Sequence, residues 1–217
     1  MGNPSSFTFK NYWAYSWWKY LLAILLPCLV WPYAFYLKDR PKDNEELQIF
    51  IAAQKVKNYA PLTSARDVLS EQGILSLDAY LSPSTGTSYN AALDLQGIDS
   101  SDLLIIPSDS TNFSTYALAG DFVPLDDSLW NKLPSGYEAY SDEKGNRLGA
   151  KVFKTNDDAY NTFTGFSGWV DWNDATTDFY LFLNAKMPNI GSYNSKSEGH
   201  QESIWLFEYL LNYGKNA

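Results

Sequence analysis

The sequence predicts a three-layer α/β domain with a mostly parallel sheet, preceded by one transmembrane helix. An uncharged apolar run at 20–37 is long enough to span a bilayer. From Leu47 onward, β-prone apolar runs alternate with segments of helical spacing, which indicates an α/β fold. The run at 102–107 is apolar on both faces, as in the centre of a sheet covered on both sides. We expect three parts: a tail and membrane anchor at 1–38, a charged linker at 39–46 and one folded domain at 47–217.

The composition excludes several classes of protein. The 217 residues are 45% hydrophobic and 17% aromatic, which excludes a disordered tail. The formal net charge of -9 argues against nucleic-acid binding, because an acidic surface repels phosphate groups. One cysteine allows neither an internal disulfide nor a four-cysteine zinc site, and one histidine excludes any mechanism that needs two from this chain.

The apolar run Tyr20–Leu37 reads YLLAILLPCLVWPYAFYL and would span roughly 27 Å as a helix. Lysines close both ends, and aromatic residues cluster at both boundaries, as in helices whose rings lie at lipid headgroups. A buried core helix and a cleaved signal peptide are the alternatives. No small-x-small cleavage site follows, and Pro27 precedes Cys28 where a lipoprotein site has a small residue. We therefore expect an uncleaved signal anchor.

The first half of the folded domain is expected to alternate strands with helices. Pro61 stands where the first of these helices can begin, and Asp109 or Ser110 can cap the third. Glycine follows the periodic residues of each helix, as is typical of helix ends. The expected strands are 47–53, 74–81 and 102–107, and the expected helices are 61–72, 90–96 and 108–119, ended by Gly73, Gly97 and Gly120.

The second half of the domain is expected to be less regular. A short helical stretch runs to Leu133, and strands are expected at 147–153 and 178–186. Residues 155–176 show no sustained periodicity and are expected to form loops. An apolar helix is expected at 201–213, ending at Gly214.

Three segments of the domain resemble, in order, parts of a known family. They are DLLIIPSDSTNFSTYALAGDFVPLDD (102–127), EKGNRLGAKVF (143–153) and DFYLFLNAKMPNIG (178–191). They are similar to the apolar strand and "gxlxpLdd" stretch, the "dGKlYGIPv" strand and the "lyYNkdlf" strand of bacterial extracellular solute-binding proteins of the type 2 periplasmic-binding fold. The similar region lies in the first lobe of that fold and covers about two-thirds of the soluble part.

The resemblance implies one α/β lobe outside the cytoplasm. The family has a second lobe, but about thirty residues follow Lys186 here, so we expect a single-lobe relative that cannot close on a solute by hinge motion. Counting Lys and Arg slightly favours a cytoplasmic domain, and we overrule that count on the resemblance.

The function implied by the resemblance is that of a membrane-anchored extracellular solute-binding-like protein. It would associate with permease subunits of an ABC-type importer, and carbohydrate or a similar small solute would be the ligand. The alternative is a structural or interaction protein of the cell envelope, whose lobe docks a partner protein without transport.

The sequence predicts neither an enzyme nor a metal or cofactor site. GFSGW at 165–169 lacks the second glycine of a nucleophile elbow. His200 lies in a polar loop, where a solvated side chain is expected. The stretch Asp171–Asp178 lacks the turn glycine and distal glutamate of a calcium loop.

The candidate ligand-binding residues are Ser108, Asp109, Trp169 and Trp172. Both tryptophans lie in a stretch rich in Asn, Asp and Gly, and aromatic rings beside such groups suit carbohydrate binding. The alternative is that these rings cover a sheet edge left by the absent lobe. Ligands of open α/β sheets bind beyond the carboxyl ends of the strands. The loops expected at that edge are 53–54, 82–88 and 108–110.

Overall fold

The structure is a computed structural model that describes residues 9–39, 45–108, 113–172, 175–187 and 201–216. The chain separates into two compact units, Met1–Arg40 and Pro41–Ala217. The first unit contains helix α1 (Phe9–Asp39), which includes Pro27 and Pro32. The stretch Trp17–Tyr36 of α1 is exposed, and it is long and apolar enough to cross a membrane. The predicted apolar helix is confirmed, and its pattern is shared by membrane spans and signal sequences.

The described part of the second unit contains one six-stranded mixed sheet in the order β2-β1-β3-β6-β5-β4. β1 pairs in parallel with β2 and β3, whereas β6 is antiparallel to β3 and β5, and β4 is antiparallel to β5. The α/β fold is confirmed, but the expectation of a mostly parallel sheet is corrected to a partly parallel one. The strands are β1 (Glu46–Ile51), β2 (Ser76–Leu81), β3 (Leu103–Pro107), β4 (Ala139–Ser141), β5 (Arg147–Phe153) and β6 (Phe179–Leu183).

The direction of β6 could not be predicted from its sequence. FYLFL is buried at all five positions, and such a run has the same pattern in either direction. In the sheet, Phe182 lies between Leu104 of β3 and Gly149 of β5. A side chain at Gly149 would collide with this ring, because its Cβ would lie 2.5 Å from Cε1 of Phe182. The glycine therefore allows β5 to pair closely with β6.

Helices cover both faces of the sheet. The β1–α2–β2 connection and the β2–α3–β3 connection cross the sheet in opposite directions. Because connections between parallel strands are right-handed, the helices of these two connections lie on opposite faces of the sheet. α2 contacts α7, and α7 contacts α6, so these three helices form one layer. The helices are α2 (Ala60–Ser70), α3 (Tyr89–Ala92) with a π-helical continuation (Leu93–Ile98), α4 (Phe113–Ala119), α5 (Asp127–Trp130), α6 (Asp158–Thr164), a 3-10 turn (Phe166–Gly168) and α7 (Glu202–Asn216).

The core is centred on β3 and β6, which are buried at every position. This confirms the central strand expected at 102–107. Buried polar groups join the layers: Asn184 Nδ2 donates hydrogen bonds to the carbonyls of Ile98 (2.8 Å) and Ser101 (2.7 Å). Asp102 Oδ1 accepts a hydrogen bond from Ser203 Oγ of α7 (3.0 Å). These hydrogen bonds hold together the segments that flank β3. Breaking them would leave buried polar groups unpaired, which costs free energy.

The expectation of loops throughout 155–176 is wrong, because this stretch contains α6 and the 3-10 turn. Asp157 caps α6 by accepting a hydrogen bond from the Tyr160 amide (2.9 Å). Gly165 ends the helix in the left-handed conformation, with φ of 69°. Seven residues make about two turns, which is too short for a repeating apolar pattern.

Two glycines that were expected to end helices lie inside them. Gly97 belongs to the π-helical turn, where a Cβ would lie 3.2 Å from Leu104 Cδ2. Its role is close packing of the turn against β3. Gly214 lies within α7, which continues to Asn216. β4 was not predicted, since its three residues are too few for strand alternation.

Candidate functional site

A polar cleft of about 220 Å³ lies where β1 and β2 end. One wall is formed by residues 52–55 after β1, and another by residues 83–85 after β2. Asp171, Trp172 and Phe179 complete the lining together with Ala175. The cleft thus lies at the carboxyl edge of the parallel strands, where ligands of open α/β sheets bind. The position expected for the loops at 53–54 and 82–88 is confirmed.

Backbone pairing holds the first wall against the segment before β6. Val56 and Val170 form an isolated antiparallel bridge. The amide of Lys57 donates to the carbonyl of Trp169 (2.6 Å), and the amide of Asp171 donates to the carbonyl of Lys55 (3.1 Å). These bonds bring two segments more than a hundred positions apart to the same edge of the sheet.

The charged residues of the described cleft lining are Lys55 and Asp171, and Lys57, which lies outside the lining, also pairs with Asp171. Lys55 Nζ lies 3.3 Å from Asp171 Oδ2, and Lys57 Nζ lies 3.5 Å from Asp171 Oδ1. The side chain of Asp171 is 9% exposed, whereas those of Lys55 and Lys57 are 68% and 41% exposed. One carboxylate cannot neutralise two ammonium groups, so this group of three side chains keeps a net positive charge.

Trp172 contributes a buried wall to the cleft. It is 7% exposed, and its ring centroid lies 5.2 Å from that of Phe153 and 4.7 Å from that of Phe179. Its Nε1 is buried and has no hydrogen-bond partner among the described residues. The ring therefore acts mainly as packing between the cleft and the core.

The structure places Trp169 and Ser108 outside the cleft lining. Trp169 is 4% exposed, packs against Phe166 at 5.2 Å and does not line the cleft. Ser108 is half-buried at the end of β3, where its Oγ lies 3.4 Å from Thr177 Oγ1. Asp109 lies outside the described residues, as do Ser110 and His200. Of the three candidates that lie among the described residues, Trp172 alone lines the cleft.

Sequence reasoning missed Lys55 and Asp171 as cleft residues. Lys55 directly follows the loop that was expected at the carboxyl edge, so its position in the sequence was a usable signal. Asp171 had no such signal, since its contact with Lys55 depends on the bridge between Val56 and Val170.

A second charged cluster lies on β5 and its neighbours, and none of its residues belongs to the cleft lining. Lys151 is 9% exposed at its side chain, and its Nζ binds Glu138 Oε2 (2.5 Å) and Asp178 Oδ2 (2.9 Å). Lys154 Nζ binds the other oxygen of Glu138 (2.7 Å). Tyr160 Oη donates to the Lys151 carbonyl (3.0 Å) and accepts from the Glu138 amide (3.1 Å). We call Glu138, Lys151, Lys154 and Asp178 the β5 ion cluster.

The pKa values in the β5 ion cluster favour the charged forms. Hydrogen bonds from Lys151 and then Lys154 hold the pKa of Glu138 below its ordinary value. Burial lowers the pKa of Lys151, but hydrogen bonds to Glu138 and Asp178 outweigh burial and raise it overall. Burial raises the pKa of Tyr160 to about 12. The cluster therefore satisfies its own charges near neutral pH.

Among the described residues, no group of three His, Cys, Asp or Glu side chains could hold a metal ion. No protein-family model matches the chain, and no curated protein sequence matches it.

Proposed function

We propose that this chain is a membrane-anchored, solute-binding-like protein whose domain lies outside the cytoplasm and works beside an ABC-type importer. The observation that carries the proposal is the polar cleft at the carboxyl ends of β1 and β2. Its lining combines hydroxyl, amide and charged groups, which are the groups that bind a small polar solute. In this proposal α1 is an uncleaved anchor that keeps the domain at the membrane.

Solute binding is tested on the full-length protein in mild detergent. Calorimetric titration with a panel of sugars, hydroxy acids and amino acids should identify solutes that bind. A chain with both Ser84→Ala and Thr85→Ala should bind them more weakly, because two hydroxyls of the cleft wall are removed. A matched chain with Ser128→Ala and Thr162→Ala changes two exposed hydroxyls outside the lining and should bind normally. If no solute of the panel binds, solute binding is refuted.

Transport association is tested by purifying the full-length protein from its native membrane and identifying co-purified proteins by mass spectrometry. Recovery of importer permease subunits above the background of an unrelated single-span protein is the expected result. Recovery of other partners alone would refute the transport role.

The placement of the domain is tested with a single reporter cysteine. Cys28 is the one cysteine of the chain, so Cys28→Ser removes the background. Lys144→Cys then places a thiol in an exposed turn between β4 and β5. A membrane-impermeant maleimide should label it in intact cells. Labelling only after lysis would place the domain in the cytoplasm.

The second candidate function is that of an envelope protein that docks a partner. Leu95 and Leu118 favour it, because their exposed fractions are 62% and 75%. They lie on two elements that are joined by a hydrogen bond from Tyr116 Oη to Asp94. In this candidate function the two leucines would belong to one apolar patch, and contiguous apolar patches mark protein contact sites. Leu95→Ser with Leu118→Ser should then release the partner and leave solute binding unchanged.

A further inference from the structure

We infer that the cleft accepts a small anionic solute with hydroxyl groups, such as a sugar acid, in preference to a neutral sugar. This inference rests on the proposed function, since it names the class of solute for the same cleft. The exposed lysine of the cleft wall, the burial of the aromatic ring and the hydroxyl-bearing wall support it.

An exposed ammonium group on the cleft wall favours an anionic solute. Lys55 lines the cleft and is 68% exposed, and it shares one carboxylate with Lys57. The chain as a whole has a net charge of -9, so this local positive excess is contrary to the overall charge. The separation of 3.3 Å between Lys55 and Asp171 is longer than the 2.7–2.9 Å of a close charged hydrogen bond. The ammonium group can therefore turn toward an anion in the cleft at little cost.

The indole ring of the cleft wall is buried, which disfavours a neutral sugar. A neutral sugar is commonly held by stacking on an exposed ring face, since its hydroxyl groups alone give little net energy against water. Trp172, the tryptophan of the described wall, is 7% exposed and packs on Phe153 and Phe179. The described lining thus offers little open ring surface for a neutral sugar.

The cleft is small and has polar side chains on two of its walls. Ser84 and Thr85 place two hydroxyls on the wall that follows β2, and Gln54 places a carboxamide on the wall that follows β1. The volume of about 220 Å³ is below that of ordinary drug-sized pockets, roughly 300–1,000 Å³. A small solute with hydroxyls and one acidic group fits these features.

The test is calorimetric titration of the full-length protein in detergent with D-glucuronate, D-glucose and inorganic phosphate. We expect D-glucuronate to bind more tightly than D-glucose by about tenfold, and its affinity to fall as salt rises. Lys55→Gln should reduce the affinity for D-glucuronate by about tenfold. Lys132→Gln removes the same charge from an exposed lysine that pairs with Glu208 outside the lining, and it should have no effect.

A gain of affinity gives an independent readout. Asp171→Asn removes the carboxylate that partly neutralises Lys55, so the affinity for D-glucuronate should rise about threefold in a variant whose circular dichroism is unchanged. Equal binding of D-glucose with no effect of Lys55→Gln would overturn the anionic preference and leave solute binding intact. Binding of phosphate but not of D-glucuronate would retain an anion site and overturn the sugar-acid assignment. Absence of binding by all three probes would overturn the inference, while the wider solute panel decides the proposed function separately.

Discussion

The parallel half of the sheet, β2-β1-β3, and the antiparallel half, β6-β5-β4, both place lysines beside carboxylates, but with opposite exposure. In the parallel half, Lys55 is 68% exposed and shares Asp171 with a second lysine. In the antiparallel half, Lys151 is 9% exposed and binds two carboxylates, one of which, Glu138, it shares with Lys154. The two halves therefore differ in the exposure of their lysine charge, because Lys151 is enclosed by its carboxylates whereas Lys55 at the cleft is open to solvent.

The largest loss of stability is expected from Gly149→Ala in the antiparallel half, because the added methyl group overpacks the sheet. A Cβ at Gly149 would lie 2.5 Å from the Phe182 ring and 2.9 Å from the carbonyl of Leu181, and Phe182 stacks on Phe122 at 4.5 Å. We expect Gly149→Ala to lower the free energy of unfolding by about 3 kcal/mol, because neither neighbour can move freely. Urea denaturation followed by circular dichroism measures this loss.

Gly97→Ala is the matched change in the parallel half. Its Cβ would meet Leu93 Cδ1 at 2.9 Å, which is the mobile end of a side chain, so we expect a loss of about 1 kcal/mol. Equal losses for the two variants would show that the two halves do not differ in rigidity.

The next largest loss of stability is expected when the buried Lys151 is replaced. Lys151→Met leaves Glu138 and Asp178 without their common partner, and breaking a buried ion pair costs about 3–5 kcal/mol. The side chain of Glu138 is 43% exposed, so solvent replaces part of the interaction and we expect about 2 kcal/mol. Lys55→Met is the control, and its free energy of unfolding should change by less than about 0.5 kcal/mol, as for exposed pairs. A larger loss for Lys55→Met than for Lys151→Met would reverse the comparison.

A smaller loss of stability is expected when the pH is lowered. The pKa of Glu138 is lower in the folded protein than its ordinary value of 4.5, because Lys151 and Lys154 donate hydrogen bonds to it. The unfolded chain then binds more protons in this range, so the contribution of Glu138 is present above about pH 4.5 and is lost as pH falls through the folded-state pKa. Urea denaturation between pH 6 and pH 3 should show a smaller decline for Glu138→Gln than for the natural chain. Parallel declines would contradict the lowered pKa.

The smallest change in the free energy of unfolding is expected for a substitution at Trp172. Trp172→Phe removes some buried volume, but it also removes an indole N–H that has no partner among the described residues. The two contributions oppose each other, so the free energy of unfolding should fall by less than about 1 kcal/mol. Thermal denaturation with and without solute measures this change. A loss well above that size would mean that the N–H is bound by water or solute in the native protein.

The sequence predicted the elements that have a long apolar run, a clear strand pattern or a glycine at the helix end. The apolar run of α1, the strands at β1 and β3 and the glycine after α2 were all visible as composition or spacing. The direction of β6 and the short helix α6 had no such signal, since a wholly buried strand reads the same both ways.

The candidate site was predicted less well than the fold. The carboxyl edge of the strands was identified, but aromatic residues were selected where the structure exposes charge. Trp169 is buried because its backbone pairs with Lys57 and its ring packs on Phe166. The pairing of Lys55 with Asp171 depends on a bridge between distant segments, and local sequence does not specify such contacts.

We expect an acidic solute to occupy the cleft at the carboxyl ends of β1 and β2. Hydrogen–deuterium exchange of the full-length protein, with and without saturating D-glucuronate, tests it most directly. Exchange should become slower at 52–58 and 169–172, where the cleft wall is held by backbone hydrogen bonds, and should not change at 138–153. Slower exchange at 138–153 alone, or no change anywhere in the domain, would contradict it.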